Sequence, residues 1–270
     1  MGTLASLLIF LPVFRSLSWV WGFSLINNCI ISNSFMKDVY AQYLIDKTKR
    51  DYNKIALDFS NTRQSFWNDS LFLLDYIKKN DKLIDLGCGN GRLYKMIEKL
   101  SVDYVGLDLS EDLIKEAKES FVGVNFVVGS ALDLPFSDDT FDKVFSMAVL
   151  HHIPSWKLRR KFFKESFRVL KKEGLMILTV WNMWGNKLAR RKYIFSIIKK
   201  LFFGKTDIGD IFYPWKDSKG GVLADRYIHL FKIWELKKLA LDSGFKIERY
   251  GVTYDKRNNK PRNFYLILKK

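Results

Sequence analysis

The sequence predicts a three-layer α/β fold, a mostly parallel β-sheet covered by helices on both faces. Two observations carry this. Short β-rich runs alternate with helical stretches along most of the chain, and three glycines within five residues stand where the first such run turns into a helix.

The runs come in order. "KLIDLG", "DYVGLDL", "NFVVGS", "KVFSMAV" and "LMILTVW" are separated by "GRLYKMIEKL", "SEDLIKEAKES" and "WKLRRKFFKESFRVLKKEG". Ahead of them, "YLIDKTKRDYNKIALDF" spaces Tyr43, Leu44, Tyr52, Ile55 and Phe59 at helical intervals, and "SLFLLDYIKKN" reads as a second helix before Asp81. After Trp181 the rhythm breaks for about fifty residues, a basic and aromatic insertion at about 182–233. A last helix, "WELKKLALDSG", and two apolar strands, "FKIERYGVTY" and "NFYLILKK", follow.

Residues 1–35 differ from the rest: Arg15 is their one charged residue among many large apolar side chains. They read as a membrane-associated segment, as a signal peptide without a basic start, or as residues dispensable to a working protein that begins at Met36. The domain division is therefore 1–35 and 36–270. Two cysteines, Cys29 and Cys88, are too few for a disulfide framework or a cysteine-built zinc site, so an intracellular, cytoplasmic protein is expected. No metal is expected, because His151 and His152 have no matching acidic cluster. A formal net charge of +16 favours a polyanionic partner or an anionic membrane surface.

Parallel sheets bind ligands outside the carboxyl ends of their strands, so the loops after the strands are where function is expected. The first, "DLGCGNG", lacks Cβ atoms at Gly87, Gly89 and Gly91, which lets a ligand approach the backbone. Its spacing is not the Gly-x-Gly-x-x-Gly of dinucleotide sites. Asp108 ends the next strand, seventeen positions after Gly91, where a carboxylate can accept hydrogen bonds from both ribose hydroxyls. Loop and acid together suit an adenosine ligand that carries no pyrophosphate.

"LIDLGCGNG", "VGLDLS", "ALDLPF" and "FDKVFSMAVLHHI", in that order, resemble the motif series of class I S-adenosylmethionine-dependent methyltransferases. The resemblance implies a Rossmann-like sheet of seven strands, the last antiparallel, with S-adenosyl-L-methionine as cofactor. It implies that Asp85, Gly87, Cys88, Gly89 and Gly91 surround the methionine part and that Asp108, with Leu109, holds the ribose. Ala131 and Leu132 would border the adenine, and Met147 would close the methionine side. Ser130 stands where many relatives carry an aspartate that accepts from the adenine amino group.

Three further stretches, "YNKIALDFSNTRQSFW", "SMAVLHHIPSWKLRRKFFKESFRVLKKEGLMILTVW" and "DIFYPWK" through "DRYIHLFKIWELKKLALDSGF", are similar to the tRNA methyltransferases that esterify a carboxymethyl group on wobble uridine. They are also similar to the methyltransferase domain fused to an AlkB-type oxygenase. That likeness implies tRNA as substrate and a small activator protein as partner. Charge agrees: Lys187 to Lys205 holds seven basic residues and no acid, and phosphate contacts give affinity without sequence choice. Tyr193, Phe212, Tyr213, Trp215 and Tyr227 are either base-stacking aromatics or the core of the insertion.

A carboxylate acceptor is already anionic and needs orientation by a cation, for which Arg63 is the first candidate and Arg226 the second. His151 and His152 follow the fourth strand, where a base would sit for a hydroxyl or amine acceptor; His229 is supported by the family likeness. Two other readings stay open: a small-molecule methyltransferase of the quinone-biosynthesis type, and a non-catalytic partner subunit.

Overall fold

A computed structural model describes residues 36–63, 68–204 and 206–270, the side chains of Phe202 and Phe203 excepted. The expectations for residues 1–35, membrane association among them, lie outside the described residues. Residues Met36–Lys270 form one unit.

Seven strands make the main sheet: β1 (Lys82–Leu86), β2 (Asp103–Asp108), β3 (Asn125–Val128), β4 (Phe141–Met147), β5 (Leu170–Trp181), β8 (Lys246–Tyr254) and β9 (Pro261–Lys269). Their order across the sheet is β3-β2-β1-β4-β5-β9-β8. The first five pair in parallel, and β9 is antiparallel to both of its neighbours. This is the seven-stranded sheet that the sequence predicts.

Side chains alternate faces along a strand, so a buried parallel strand feeds two cores at once. Val144, Met176, Leu178 and Leu266 join one apolar cluster, while Phe145, Ile177 and Ile267, one position along, join the cluster on the other face. The helices that cover these faces are α2 (Arg92–Ile97), α3 (Glu111–Ser120), α4 (Trp156–Val169) and α6 (Ile233–Leu241). Ser110 and Ser155 cap α3 and α4 by accepting from Leu113 N at 3.2 Å and Leu158 N at 3.3 Å, which satisfies N–H groups that have no partner inside the helix.

Two local expectations change. The segment before β1 is not two full helices. It is one 25-residue helix, α1 (Asp38–Thr62), and a short 3-10 turn at Leu71–Tyr76. The insertion is more ordered than its irregular text predicts, with a 17-residue helix, α5 (Lys187–Phe203), and a separate hairpin of β6 (Asp210–Lys216) and β7 (Val222–His229). The β6–β7 hairpin packs against α1: Tyr227 joins the cluster of Met36, Ala41 and Leu44, and Trp215 with Ala224 joins that of Ile55. These contacts bring the insertion to the carboxyl-end loops of the sheet.

Candidate active site

The glycine loop between β1 and α2 is tied to the end of β2. Gly87 N and Cys88 N donate to the Leu107 carbonyl at 2.7 and 3.1 Å. Gly89 N donates to Asp108 Oδ2 at 2.9 Å, and Ser110 N to Oδ1 at 2.8 Å. Gly87 has φ +76°, and a Cβ there would lie 2.3 Å from Val149 Cγ2, so backbone and space both require glycine. Gly91, also left-handed at φ +79°, caps α2 with its back against Phe121 and Phe126.

Asp85 is buried at the end of β1 and accepts from Tyr104 Oη at 3.0 Å. Burial pushes its carboxyl up to about 7, against the Tyr104 hydrogen bond. A cationic ligand group beside it would favour the charged carboxylate. Burial also raises Asp108, opposed by its backbone donors, and holds the Cys88 thiol well above its usual range, which disfavours the thiolate.

A cavity of about 720 Å³ opens over these loops. Asp85, Gly87, Cys88, Asp108, Leu109, Ser130, Ala131, Leu132 and Met147 line it; Gly89 and Gly91 shape the loop from behind and do not. Ser130 Oγ accepts from Leu132 N at 3.2 Å and so fixes the turn that carries Ala131. This half fits an adenosine-bearing cofactor. The acid on the wall keeps acceptor capacity beyond the N–H groups it already binds, apolar side chains flank it, and the glycine backbone lies bare at the base. Ala148, on the same wall, takes φ +63° with its N–H held by Thr179, a conformation that costs a non-glycine residue about 1 kcal/mol.

The other half of the cavity is built from α1, the end of β5 and the hairpin. Arg226 on β7 is only 4% exposed. Its guanidinium carbon lies 4.7 Å from the Trp215 ring centre and 5.1 Å from that of Trp181. Nη1 donates to Tyr52 Oη at 3.3 Å, Nε has no partner, and no carboxylate among the described residues pairs with it. Arg63, exposed at the end of α1, lies 4.9 Å from the same Trp215 ring. Partial desolvation beside that ring, together with the charge of Arg226, lowers its pKa. Trp215 is itself fixed, its Nε1 donating to Asp58 Oδ2 at 2.6 Å. At the mouth, Lys256, Arg257 and Arg262 are exposed around the buried Asp255.

Of the three histidines, only His152 reaches the cavity wall. Its Nδ1 lies 2.9 Å from the Tyr227 carbonyl, which can only accept, so Nδ1 carries the proton. Nε2 is then the acceptor for the Tyr52 hydroxyl at 2.8 Å. Burial and Arg226 pull His152 down to about 3. His151 lies behind it, stacked on Trp181 with ring centres 4.5 Å apart, and burial holds it well below its usual range. Neither offers a free base to the cavity. His229 is elsewhere, bridging Asp210 and Glu235 at 2.8 Å each.

Tyr52, Trp181 and Trp215 complete this second half, with Asp58 behind Trp215; the sequence offered Trp215 only as one of five insertion aromatics and Trp181 only as part of a Trp-rich strand end, and named neither Tyr52 nor Asp58 as a site residue. Tyr52 reads as one apolar position of an amphipathic helix, and Trp215 as one of several aromatics in the insertion. Tyr227 is fully buried, so base stacking is closed to it.

Comparison with known proteins agrees with this geometry. The methyltransferase domain family matches residues 84–178. An Encephalitozoon cuniculi protein whose name gives its class as methyltransferase is 34% identical over 207 residues, spanning 75% of this chain and 89% of its own. A tRNA (carboxymethyluridine(34)-5-O)-methyltransferase of Schizosaccharomyces pombe is 29% identical over 77% of this chain and 91% of its own. The Arabidopsis thaliana enzyme of that name is 32% identical over 56% of this chain and only 37% of its own. Among solved structures, a SAM-dependent methyltransferase of Methanosarcina mazei superposes with a TM-score of 0.60 at 26% identity, covering 76% of this chain and 98% of that one. The chain belongs to the S-adenosylmethionine-dependent methyltransferases. Its cofactor is S-adenosylmethionine.

Proposed function

We propose that this methyltransferase forms a methyl ester on the carboxymethyl group of a wobble uridine in tRNA. One observation carries the reading: among the described residues, the acceptor half of the cavity presents a buried guanidinium without an anionic partner, and the one histidine that lines it has its accepting nitrogen taken by Tyr52. An acceptor that arrives as an anion needs such a cation and does without a free base. The relatives that bear this activity in their names, and the basic mouth of the cavity, support RNA as the carrier of that carboxylate.

Bound S-adenosylmethionine supplies a methyl group on a positively charged sulfur. Asp108 would accept from the ribose hydroxyls, the Gly87 turn and Asp85 would hold the methionine end, and Leu109, Ala131 and Leu132 would flank the adenine. Arg226 would orient the carboxylate for in-line attack, so that the new C–O bond forms as the C–S bond breaks and a neutral thioether leaves. No proton moves. Holding both reactants aligned is the main contribution, worth up to about 7–11 kcal/mol in favourable systems. Tyr52 steadies Arg226 from the side, itself fixed by His152.

The test is transfer of labelled methyl from S-adenosylmethionine to small RNA from cells lacking this protein, with and without a small activator protein, followed by nucleoside mass analysis. Labelled carboxymethyl-uridine ester is the expected product. Label on a small molecule and on no RNA would replace the proposal with the small-molecule reading.

A further inference from the structure

The outer side of α5 has no counterpart in the reaction above. Its inner side is held by the hairpin: Ala189 and Ser196 are buried, Ser196 Oγ accepts from Gly209 N at 2.9 Å, and Lys192 Nζ donates to the Phe212 carbonyl. On the outer side Ile194 and Phe195 are each 58% exposed, Leu201 68%, and Leu188 and Ile198 45%. Ile194, Phe195, Ile198 and Leu201 recur at helical spacing, so they form one face. Single exposed aliphatics are ordinary, whereas several along one face mark a surface that meets something else.

We propose that this face of α5 lies on an anionic lipid surface. Lys187, Arg190, Arg191 and Lys199 are exposed around the apolar residues, and residues 187–205 contain seven basic residues and no acid. Apolar side chains ringed by cations match a membrane interface, where the former enter the acyl boundary and the latter meet acidic headgroups. RNA fits less well, because four of these five exposed apolar side chains are Ile or Leu and only Phe195 offers a ring to stack on a base. A protein partner fits less well too, because charged residues are depleted at the core of protein interfaces, and residues 187–205 hold seven cations. At 1.5 Å per residue the 17-residue helix is about 25 Å long, and no helix among the described residues is long and apolar enough to cross a bilayer, so α5 lies on the surface. Stable attachment commonly takes two signals, and the amino-acid sequence of residues 1–35, apolar with one charge, supplies a candidate for the second.

The experiment is co-sedimentation of the full chain with phosphatidylcholine vesicles, plain or with about one third phosphatidylserine, set against the double variant Ile194→Glu/Ile198→Glu. Both substituted positions are exposed, and unchanged affinity for S-adenosylmethionine is the control for folding. The wild-type chain is expected to bind the anionic vesicles at least ~10-fold better than the neutral ones, and the variant to lose ~10-fold or more on the anionic ones. Absence of vesicle binding by the wild type overturns the proposal. Equal binding of wild type and variant also overturns it, since another segment would then hold the membrane. A variant that loses affinity for tRNA and not for vesicles assigns the face to RNA instead.

Discussion

Arg226 concentrates the energetics of the acceptor half in one side chain. Removing a guanidinium from water costs several kcal/mol, and the usual compensation, a carboxylate, is missing. Two tryptophan rings return about 0.5–2 kcal/mol each through cation–π contact, and Tyr52 returns one hydrogen bond. The balance leaves a cation held ready for an anion from outside, so function and stability should part at this residue. Arg226→Met keeps the length and the contact with the rings while removing the charge. Under the carboxylate reading it should lower kcat/KM for the acceptor by about 100-fold or more, since a charge-assisted bidentate contact is lost. It should also raise the melting temperature by about 2–4 °C, the shift that about 1 kcal/mol gives a chain of this size. Steady-state kinetics beside a thermal melt decide it, and a variant both inactive and less stable would make Arg226 a structural residue.

At the scale of elements, β7 does two things through the alternation of its side chains. Arg226 faces the cavity, while Tyr227 and His229 both bond Asp210 Oδ1 on the other side, at 2.6 and 2.8 Å. Arg159 of α4, fully buried, donates to the same oxygen at 3.2 Å and lies 3.6 Å from Glu235 of α6. Three elements, α4, β6 and α6, are thereby tied behind the strand that carries Arg226. Burial and Arg159 pull the His229 pKa down, but the Glu235 and Asp210 carboxylates outweigh them and raise it; burial pushes Asp210 and Glu235 up, and their cationic partners bring both below the usual range. The signs follow. The raised His229 stabilises fully below its unfolded pKa near 6.5, and that contribution is lost as pH rises through the higher folded value. The lowered carboxylates stabilise above their unfolded values, and theirs is lost as pH falls through the folded ones. Denaturant unfolding across pH should therefore show wild-type stability declining above about pH 6.5, a slope that His229→Gln makes shallower, leaving the share of the raised Asp85 near pH 7, while costing about 3–5 kcal/mol at pH 6. A parallel pair of pH profiles would mean that His229 is neutral in the fold. This network was not legible in the sequence, where "RYIHLF" shows spacing but not partners brought from α4, β6 and α6. That Asp85, the glycine loop and Asp108 would come together was legible, because they fall within two successive strand ends and local text fixes their relation. The acceptor half joins Tyr52, Trp181, Trp215 and Arg226 across nearly the whole chain. Arg63, ranked first from the sequence, is exposed at the end of α1, and Arg226 is the buried one.

For the whole molecule, the question is where a net charge of +16 acts. Some cations are internally matched: Arg159 by its carboxylates, and Arg257 and Arg262 partly by Asp255 at 2.9 and 3.3 Å. The Asp255 pairs hold two guanidiniums in place at the cavity mouth, with Lys256 next to Arg257 in sequence and Arg63 also on the cavity wall. An RNA whose modified base enters the cavity would lay its backbone across this rim, and its release of counterions would make binding steeply salt-dependent. The cofactor, in contrast, would meet a glycine backbone, apolar walls and two buried carboxyls, and brings no phosphate. Raising salt from about 50 to 200 mM should thus weaken tRNA binding by about 10³-fold, if roughly six phosphates are contacted, and S-adenosylmethionine binding by less than ~2-fold. Filter binding for RNA and calorimetry for the cofactor read the two directly. A tRNA affinity that ignores salt would remove RNA as the polyanion the charge serves, leaving the lipid-facing side of α5 as its use and a small carboxylate as the acceptor.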